Sequence, residues 1–374
     1  MTSKERVLAA INHRVPDKIP ADLGTTNCTS IVKSTYIPLK KLLGVEAEDE
    51  FLFTPFQIMK CDEKVLRKLE VDTRAVAGNY DAFPVRWLSE DSYVDQFGVQ
   101  YKMPENGLYF DFWKYPLADY ETLEEIKANY QWPDPHLPAA TEGLRERAKK
   151  LCAENQYAIV GDVVNSGIWE HSWNLRGLET FLVDLMVNQD IAHYILENMV
   201  AYKKGLMADY LNAVGDYLDI VFVGDDLSAG NSTLMSPDVF RGIVKPYLKD
   251  YYCFIKKRTN AKLMYHSCGA ITSLLDDLIE IGVDILNPVQ TNASGMEPEG
   301  LKQRYGDRVV FWGAIDAFEV MPHGSEEDVR REVEKKIRAL GPAGYVVCEN
   351  HNIQADVPAE NVITLYTHAK QVKL

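Results

Sequence analysis

"DIVFVGDD", residues 219 to 226, runs without a polar residue from Ile220 to Val223 and then closes on a glycine and two carboxylates. A strand exposed on one face would alternate polar and apolar residues. A nearly continuous apolar run suits a parallel strand covered on both faces. The signature recurs at AIVGD (158 to 162), KLMYHSC (262 to 268), VDILNPVQ (283 to 290), RVVFWGAID (308 to 316) and GYVVCEN (344 to 350). Amphipathic stretches separate these runs.

The ends of those stretches are marked. Ser236-Pro237 offers an N-cap and a first-turn proline, and Pro246 predicts a kink in the helix that follows. Ser325 caps a segment whose Val329, Val333, Ile337 and Leu340 share one face, and Gly341 stops it. Pro358 opens a C-terminal helix. With two further strands at KIPADLG (18 to 24) and LEVDTRAV (69 to 76), the strand–helix units number eight.

Eight such units predict an α/β fold, a single (β/α)8 TIM barrel preceded by an N-terminal helical extension. The competing open sheet is disfavoured because no G-x-G-x-x-G follows the first strand. All 374 residues fit one such domain. Residues 77–150, rich in Tyr, Trp and Pro, predict a β-hairpin insertion at the rim, with VDQFGVQYK as two strand pieces about a turn.

Composition narrows the class. A hydrophobic fraction of 46% and a charged fraction of 25% are ordinary for a globular enzyme. The net charge of −15 and the lack of a basic stripe argue against a nucleic-acid partner. No apolar run is long enough to span a membrane, and the N-terminus lacks a signal-peptide core, which predicts a cytoplasmic protein. The six cysteines are too thinly spread for a disulfide framework, so thiols are expected.

Barrel enzymes carry their chemistry at the carboxyl ends of the strands. Here those ends supply Asp162 and Asn165, Asp225 and Asp226, His266 and Cys268, Asn287 and Gln290, Asp316, and then Cys348, Glu349, Asn350 and His351. Single Asp and Asn residues at such ends commonly cap the next helix. The full set predicts a site. His266 and Cys268, two apart on an extended segment, can turn imidazole and thiol toward one ion, with Gly269 free to turn behind them. Zinc takes such N and S ligands but needs a third, which Cys348, or His351 three residues on, can supply from across the barrel mouth. A side-by-side H-x-C pair suits shared coordination better than a Cys–His nucleophile. Neighbouring residues on a strand face opposite ways, so one of Asp225 and Asp226 enters the site. Asp225 is the candidate acid or base with His351, and Asn165, Asp226, Asn287, Gln290 and Glu349 are candidate substrate contacts.

FVGDDLSAGNSTLMSPDVFRGIVKPYLK, YHSCGAI, VDILNPVQ, FWGAIDAFEVMPHGS and HNIQADVPAENV together resemble the uroporphyrinogen decarboxylase-like superfamily, and within it the cobalamin-linked methyltransferase branch, with its coenzyme M-type and O-demethylase-type members. The resemblance implies the same barrel and places His266 and Cys268 on two zinc ligands. The cysteine that serves as the third aligns best with His351, while Cys348 lies three residues earlier. Decarboxylases of the superfamily hold a many-carboxylate substrate with arginines after the first strand. Here that loop, ADLGTTNCTSIVKSTY, has none.

The resemblance therefore implies a zinc-dependent methyltransferase moving a methyl group between methylcobalamin on a separate corrinoid protein and a small thiol or methoxylated substrate. The chain lacks a D-x-H-x-x-G cobalamin signature of its own, hence the partner. Porphyrinogen decarboxylation and a non-catalytic barrel with structural zinc are the alternatives. A homodimer is compatible with all three.

Overall fold

A computed structural model describes residues 1–105, 107, 109–163 and 167–374. Seven parallel strands form its main sheet: β2 (Thr73–Ala77), β3 (Ala158–Asp162), β4 (Ile220–Gly224), β5 (Lys262–His266), β6 (Ile285–Asn287), β7 (Val310–Ile315) and β8 (Tyr345–Glu349). They pair in sequence order from β2 to β8. The segment at residues 20–22, β1, completes the ring. The Asp22 N–H donates to Val347 O at 3.1 Å and Val347 N–H to Pro20 O at 2.9 Å, while Asp72 N–H donates to Ala21 O at 2.9 Å on the other side. All eight expected strands are present, and β1 is reduced to a single parallel bridge, Ala21 to Val347.

Alternation along the strands sorts the core into two layers. Val160, Phe222, Met264, Ile285, Trp312, Val346 and Cys348 share an inner cluster. Ile159, Val221, Leu263, Leu286, Phe311 and Val347 belong to the larger cluster under the helices. The N-terminal helix, Ser3–Ile11, adds Val7, Ala10 and Ile11 to the inner cluster and so plugs the floor of the barrel. Two buried carboxylates brace the short β1. Asp22 accepts from Thr73 Oγ1 at 2.5 Å and Trp312 Nε1 at 3.0 Å. Asp72 accepts from Ala21 N at 2.8 Å and from Arg6 Nη1 at 2.6 Å, and pairs with Lys370 near the C-terminus.

The expected helix ends are found. Ser236 accepts from Val239 N at 3.3 Å, and a π-helical turn over Phe240–Val244 absorbs the distortion ahead of Pro246. Ser325 and Asp328 form a reciprocal capping box at the start of Glu326–Leu340. Among the described residues no helix is long and apolar enough to cross a membrane.

The insertion differs from the expected hairpin. Its two middle strands, Ser92–Val94 and Gln100–Lys102, flank the foreseen turn, but Arg86–Ser89 and Asp111–Lys114 extend them to a four-stranded antiparallel meander. The outer strands are exposed along their whole length, so they carry no burial pattern to be read. Rings hold the sheet together: Trp87 on Tyr93, Tyr93 stacked on Tyr101 at 4.8 Å, Tyr101 on Phe112, and Phe112 on Trp173 of the helix after β3. A further small sheet joins Ile31–Val32, Ile58–Met59 and Phe51–Phe53 and was not anticipated.

Candidate metal centre

The ends of β4, β5 and β6 lie in register, Gly224 beside His266 and His266 beside Asn287. A Cβ on Gly224 would stand 2.8 Å from the Cβ of His266, so glycine is what lets the imidazole sit there. Beyond His266 the chain reverses at Gly269, whose φ of +80° favours glycine and whose added Cβ would fall 2.0 Å from Ser228 Oγ.

Three ligand-type side chains converge above this point. His266 Nε2 is 3.5 Å from Cys268 Sγ and 3.9 Å from Asp226 Oδ1, and the donor atoms of the three residues all lie within 4.8 Å of one another. Among the described residues this is the one group of three or more His, Cys, Asp or Glu side chains so arranged. Tetrahedral zinc with bonds of about 2.0–2.3 Å spaces its ligands about 3.5 Å apart, so the imidazole and thiol already match and Asp226 needs a small shift. The donor set of N, S and O is one that zinc accepts.

Neighbouring groups hold the loop. Asp226 Oδ1 accepts from Cys268 N at 2.7 Å, Gln290 Oε1 from Gly269 N at 2.7 Å, and Ser228 Oγ donates to Cys268 O at 2.8 Å. Asn287 Oδ1 is 2.7 Å from His266 Nδ1. Burial pushes the Cys268 thiol well up, and the Asp226, Cys28 and Glu170 charges add to that. A thiol in such surroundings needs a cation on it to ionise, which favours coordination over a free thiolate nucleophile.

Asp225 and Asp226 part as strand geometry requires, but in the opposite sense to the expected roles. Asp225 turns to the helix after β3, where its carboxylate accepts from Ile168 N at 2.9 Å and Glu170 N at 2.8 Å. Burial pushes it up to about 7. Lys203, also buried, is held down to about 7 by the same desolvation, with Asp225 among the charges opposing it. Glu170, which the sequence reading missed, accepts the Asp226 N–H, and burial followed by the Asp226 and Asp225 charges raises it well above the usual carboxylate range. Its place in the first turn of a helix gives it no strand-end signal.

The remaining expected site residues are dispersed. Cys348 is 1% exposed among the apolar residues of the barrel interior and is not in the donor group. His351 stands nearer, with its ring 6.3 Å from that of His266, and burial followed by the His266 charge lowers it. Glu349 follows Tyr345 and Val347 on the helix-facing side of β8. It is 2% exposed, neither carboxylate oxygen has a hydrogen-bond partner among the described residues, and burial pushes it well up. Asn287 and Gln290 bond to the H-x-C loop as described. Asn165 lies outside the described residues. At the end of β3, Asp162 accepts from the Tyr80 hydroxyl at 2.6 Å.

Comparison with known proteins adds a family. A family model described as uroporphyrinogen decarboxylase (URO-D) matches residues 93–372. Uroporphyrinogen decarboxylase from Hordeum vulgare is 26% identical over 181 residues, 48% of this chain and 52% of the relative. The Ovis aries protein of the same name is 23% identical over 137 residues, 34% of this chain and 35% of the relative. The chain thus spans about half or less of the curated relatives it matches. A solved structure, "methyltransferase from Methanosarcina mazei", superposes with a TM-score of 0.69 over 99% of both chains at 18% identity, a likeness of fold.

Proposed function

The chain belongs to the uroporphyrinogen decarboxylase (URO-D) family, and from that premise we propose that it is a zinc-dependent methyltransferase, exchanging a methyl group between cobalamin on a separate corrinoid protein and a small thiol or methoxylated substrate. The observation that carries the reading is the convergence of His266 Nε2, Cys268 Sγ and Asp226 Oδ1 at the barrel mouth. Those three residues would hold the metal, with Asp226 in the place expected for Cys348. Three protein donors leave a tetrahedral ion one position for substrate, the pattern of catalytic zinc. When bound, the metal supplies Lewis acidity that keeps a thiol ionised or draws electrons from a methoxyl oxygen.

The chain's own residues do the rest. Asp226 both offers a ligand oxygen and fixes Cys268 by taking its N–H. Glu170 stands beside Asp226, and since burial favours its protonated form it is the carboxyl to give a proton to a departing alkoxide. His351 stands beside His266, their rings 6.3 Å apart.

Decarboxylation is the reading that the named relatives suggest, and the site speaks against a porphyrinogen. In the loop after β1 the Thr25 hydroxyl is turned back to Asp22 at 2.8 Å and Thr26 N–H to Thr29 Oγ1 at 3.2 Å. No guanidinium is present there to receive carboxylates, and the groups around the donors are themselves acidic. The test is metal analysis followed by methyl transfer, from methylcobalamin to a panel of thiols and from methoxylated aromatics to cob(I)alamin. Turnover with one class is expected in zinc-loaded protein and should be lost with chelator. Activity on uroporphyrinogen in metal-free protein would overturn the proposal.

A further inference from the structure

We propose that Asn287 and Gln290 are positioning residues of the H-x-C loop: Asn287 sets the tautomer of His266 and Gln290 the turn that carries Cys268 back to it. The proposal rests on the reading of Asp226, His266 and Cys268 as metal donors.

Asn287 ends β6 directly beside His266 and is 1% exposed, so the sheet fixes its place. Its amide orientation follows from both ends. Nδ2 points to the Trp312 carbonyl at 3.4 Å and Oδ1 to His266 Nδ1 at 2.7 Å. An acceptor at Nδ1 puts the ring proton there, which leaves the lone pair of the neutral imidazole on Nε2. Nε2 is the atom that faces Cys268 Sγ and Asp226 Oδ1. Metal-bound histidines often use a carboxylate for this purpose. Here Asp225, Asp226 and Glu170 already crowd the site, and a neutral amide gives the acceptor without burying another charge.

Gln290 acts one step further along the chain. Its Oε1 takes the Gly269 N–H at 2.7 Å just after Asp226 takes the Cys268 N–H at 2.7 Å, so two successive amides of the reversal are pinned. The acceptor oxygens of both Asn287 and Gln290 are therefore spent on the loop.

Cobalt(II) titration of the full chain tests this without turnover. Wild type should bind cobalt with a thiolate charge-transfer band. Asn287→Ala should weaken cobalt binding by about 10- to 100-fold, Asn287→Asp should recover most of the loss by restoring the acceptor, and Gln290→Ala should weaken binding less and alter the band. An Asn287→Ala protein that melts normally and binds cobalt as wild type does would overturn the proposal, the more so if only its KM for substrate rises. Nitrogen-15 NMR of metal-free wild type needs no variant and should show His266 protonated at Nδ1. The Nε2–H tautomer would overturn the inference. A wild type that binds no cobalt would instead bring down the donor reading, so the two failures are distinguishable.

Discussion

Replacing Asp226 by alanine, set against Cys348→Ser, decides where the third donor lies. Structural zinc sites bind with about 10–16 kcal/mol at neutral pH, so each of four ligands carries a share of about 3 kcal/mol. Loss of one such share weakens affinity by about 100-fold or more. Asp226→Ala also removes the acceptor for the Cys268 N–H, so its loss should be at the upper end. Asp226→Asn keeps that acceptor and gives up only the charge, and should fall between. Cys348 sits in the apolar interior 1% exposed. Serine there buries a hydroxyl, which should lower stability by about 1–3 kcal/mol and leave metal affinity unchanged. Competition with a chromophoric chelator gives the affinities, and urea titration the stabilities. In the cobalt form, Cys268→Ala should abolish the thiolate charge-transfer band and Cys348→Ala should leave it. A Cys348→Ser protein that loses its metal while Asp226→Ala keeps it would refute the argument from geometry.

Asp72→Ala would strand the buried Lys370 beside β1 and leave Arg6 with Asp17 alone, and should cost about 3–5 kcal/mol in a urea titration; a loss below about 1 kcal/mol would show that the triad does not close the barrel. Gly269→Ala places a Cβ 2.0 Å from Ser228 Oγ at a φ of +80°, so the protein should fold with a displaced reversal and a metal affinity reduced at least as much as for Asn287→Ala, and unchanged cobalt spectra would contradict this. Asp95, in the turn of the meander, is pushed by burial up to about 6, against the backbone N–H groups of Val99 and Phe97 that lower it. The native state thus favours its protonated form. That contribution is complete below the unfolded value of about 3.9 and is lost as pH rises through about 6. Relative to Asp95→Asn, wild type should lose stability between those limits, with the Lys203 change falling near and above pH 7; a relative gain in urea midpoint with rising pH would contradict the assignment.

The barrel was legible because its strands are buried twice over. Val221 and Phe222 face different layers and both are apolar, so a run such as IVFV has no alternation to be confused with an exposed strand. β1 was legible as KIPADLG although a single bridge holds it, because side chains rather than a ladder fix it: Asp22 and Asp72 take the hydrogen bonds that a longer strand would spread along its backbone. The outer strands of the meander were not legible, since Arg86–Ser89 and Asp111–Lys114 are exposed throughout and their order comes from rings on neighbouring strands.

Within the site, local spacing was a better guide than distance along the chain. His266 and Cys268 converge because i and i+2 on an extended segment share a side, a rule that needs no knowledge of the rest of the fold. Cys348 was expected to join them from the end of β8, but a place on the facing strand does not by itself bring a side chain to the donor atoms, and the donor group is Asp226, His266 and Cys268. Cys348 packs with Val346 in the apolar interior, and His351, three residues on and past the end of the strand, has its ring 6.3 Å from that of His266. The same phase rule applied to Asp225 and Asp226 says correctly that they part, but it cannot say which goes where without knowing what covers β4. The helix after β3 decides it: its first N–H groups draw Asp225 away at Ile168 and Glu170, and Asp226 is what remains to face the thiol. The third member of the candidate donor group is therefore set by a helix terminus on the neighbouring unit, a contact between the β3 and β4 units that no spacing within either segment encodes.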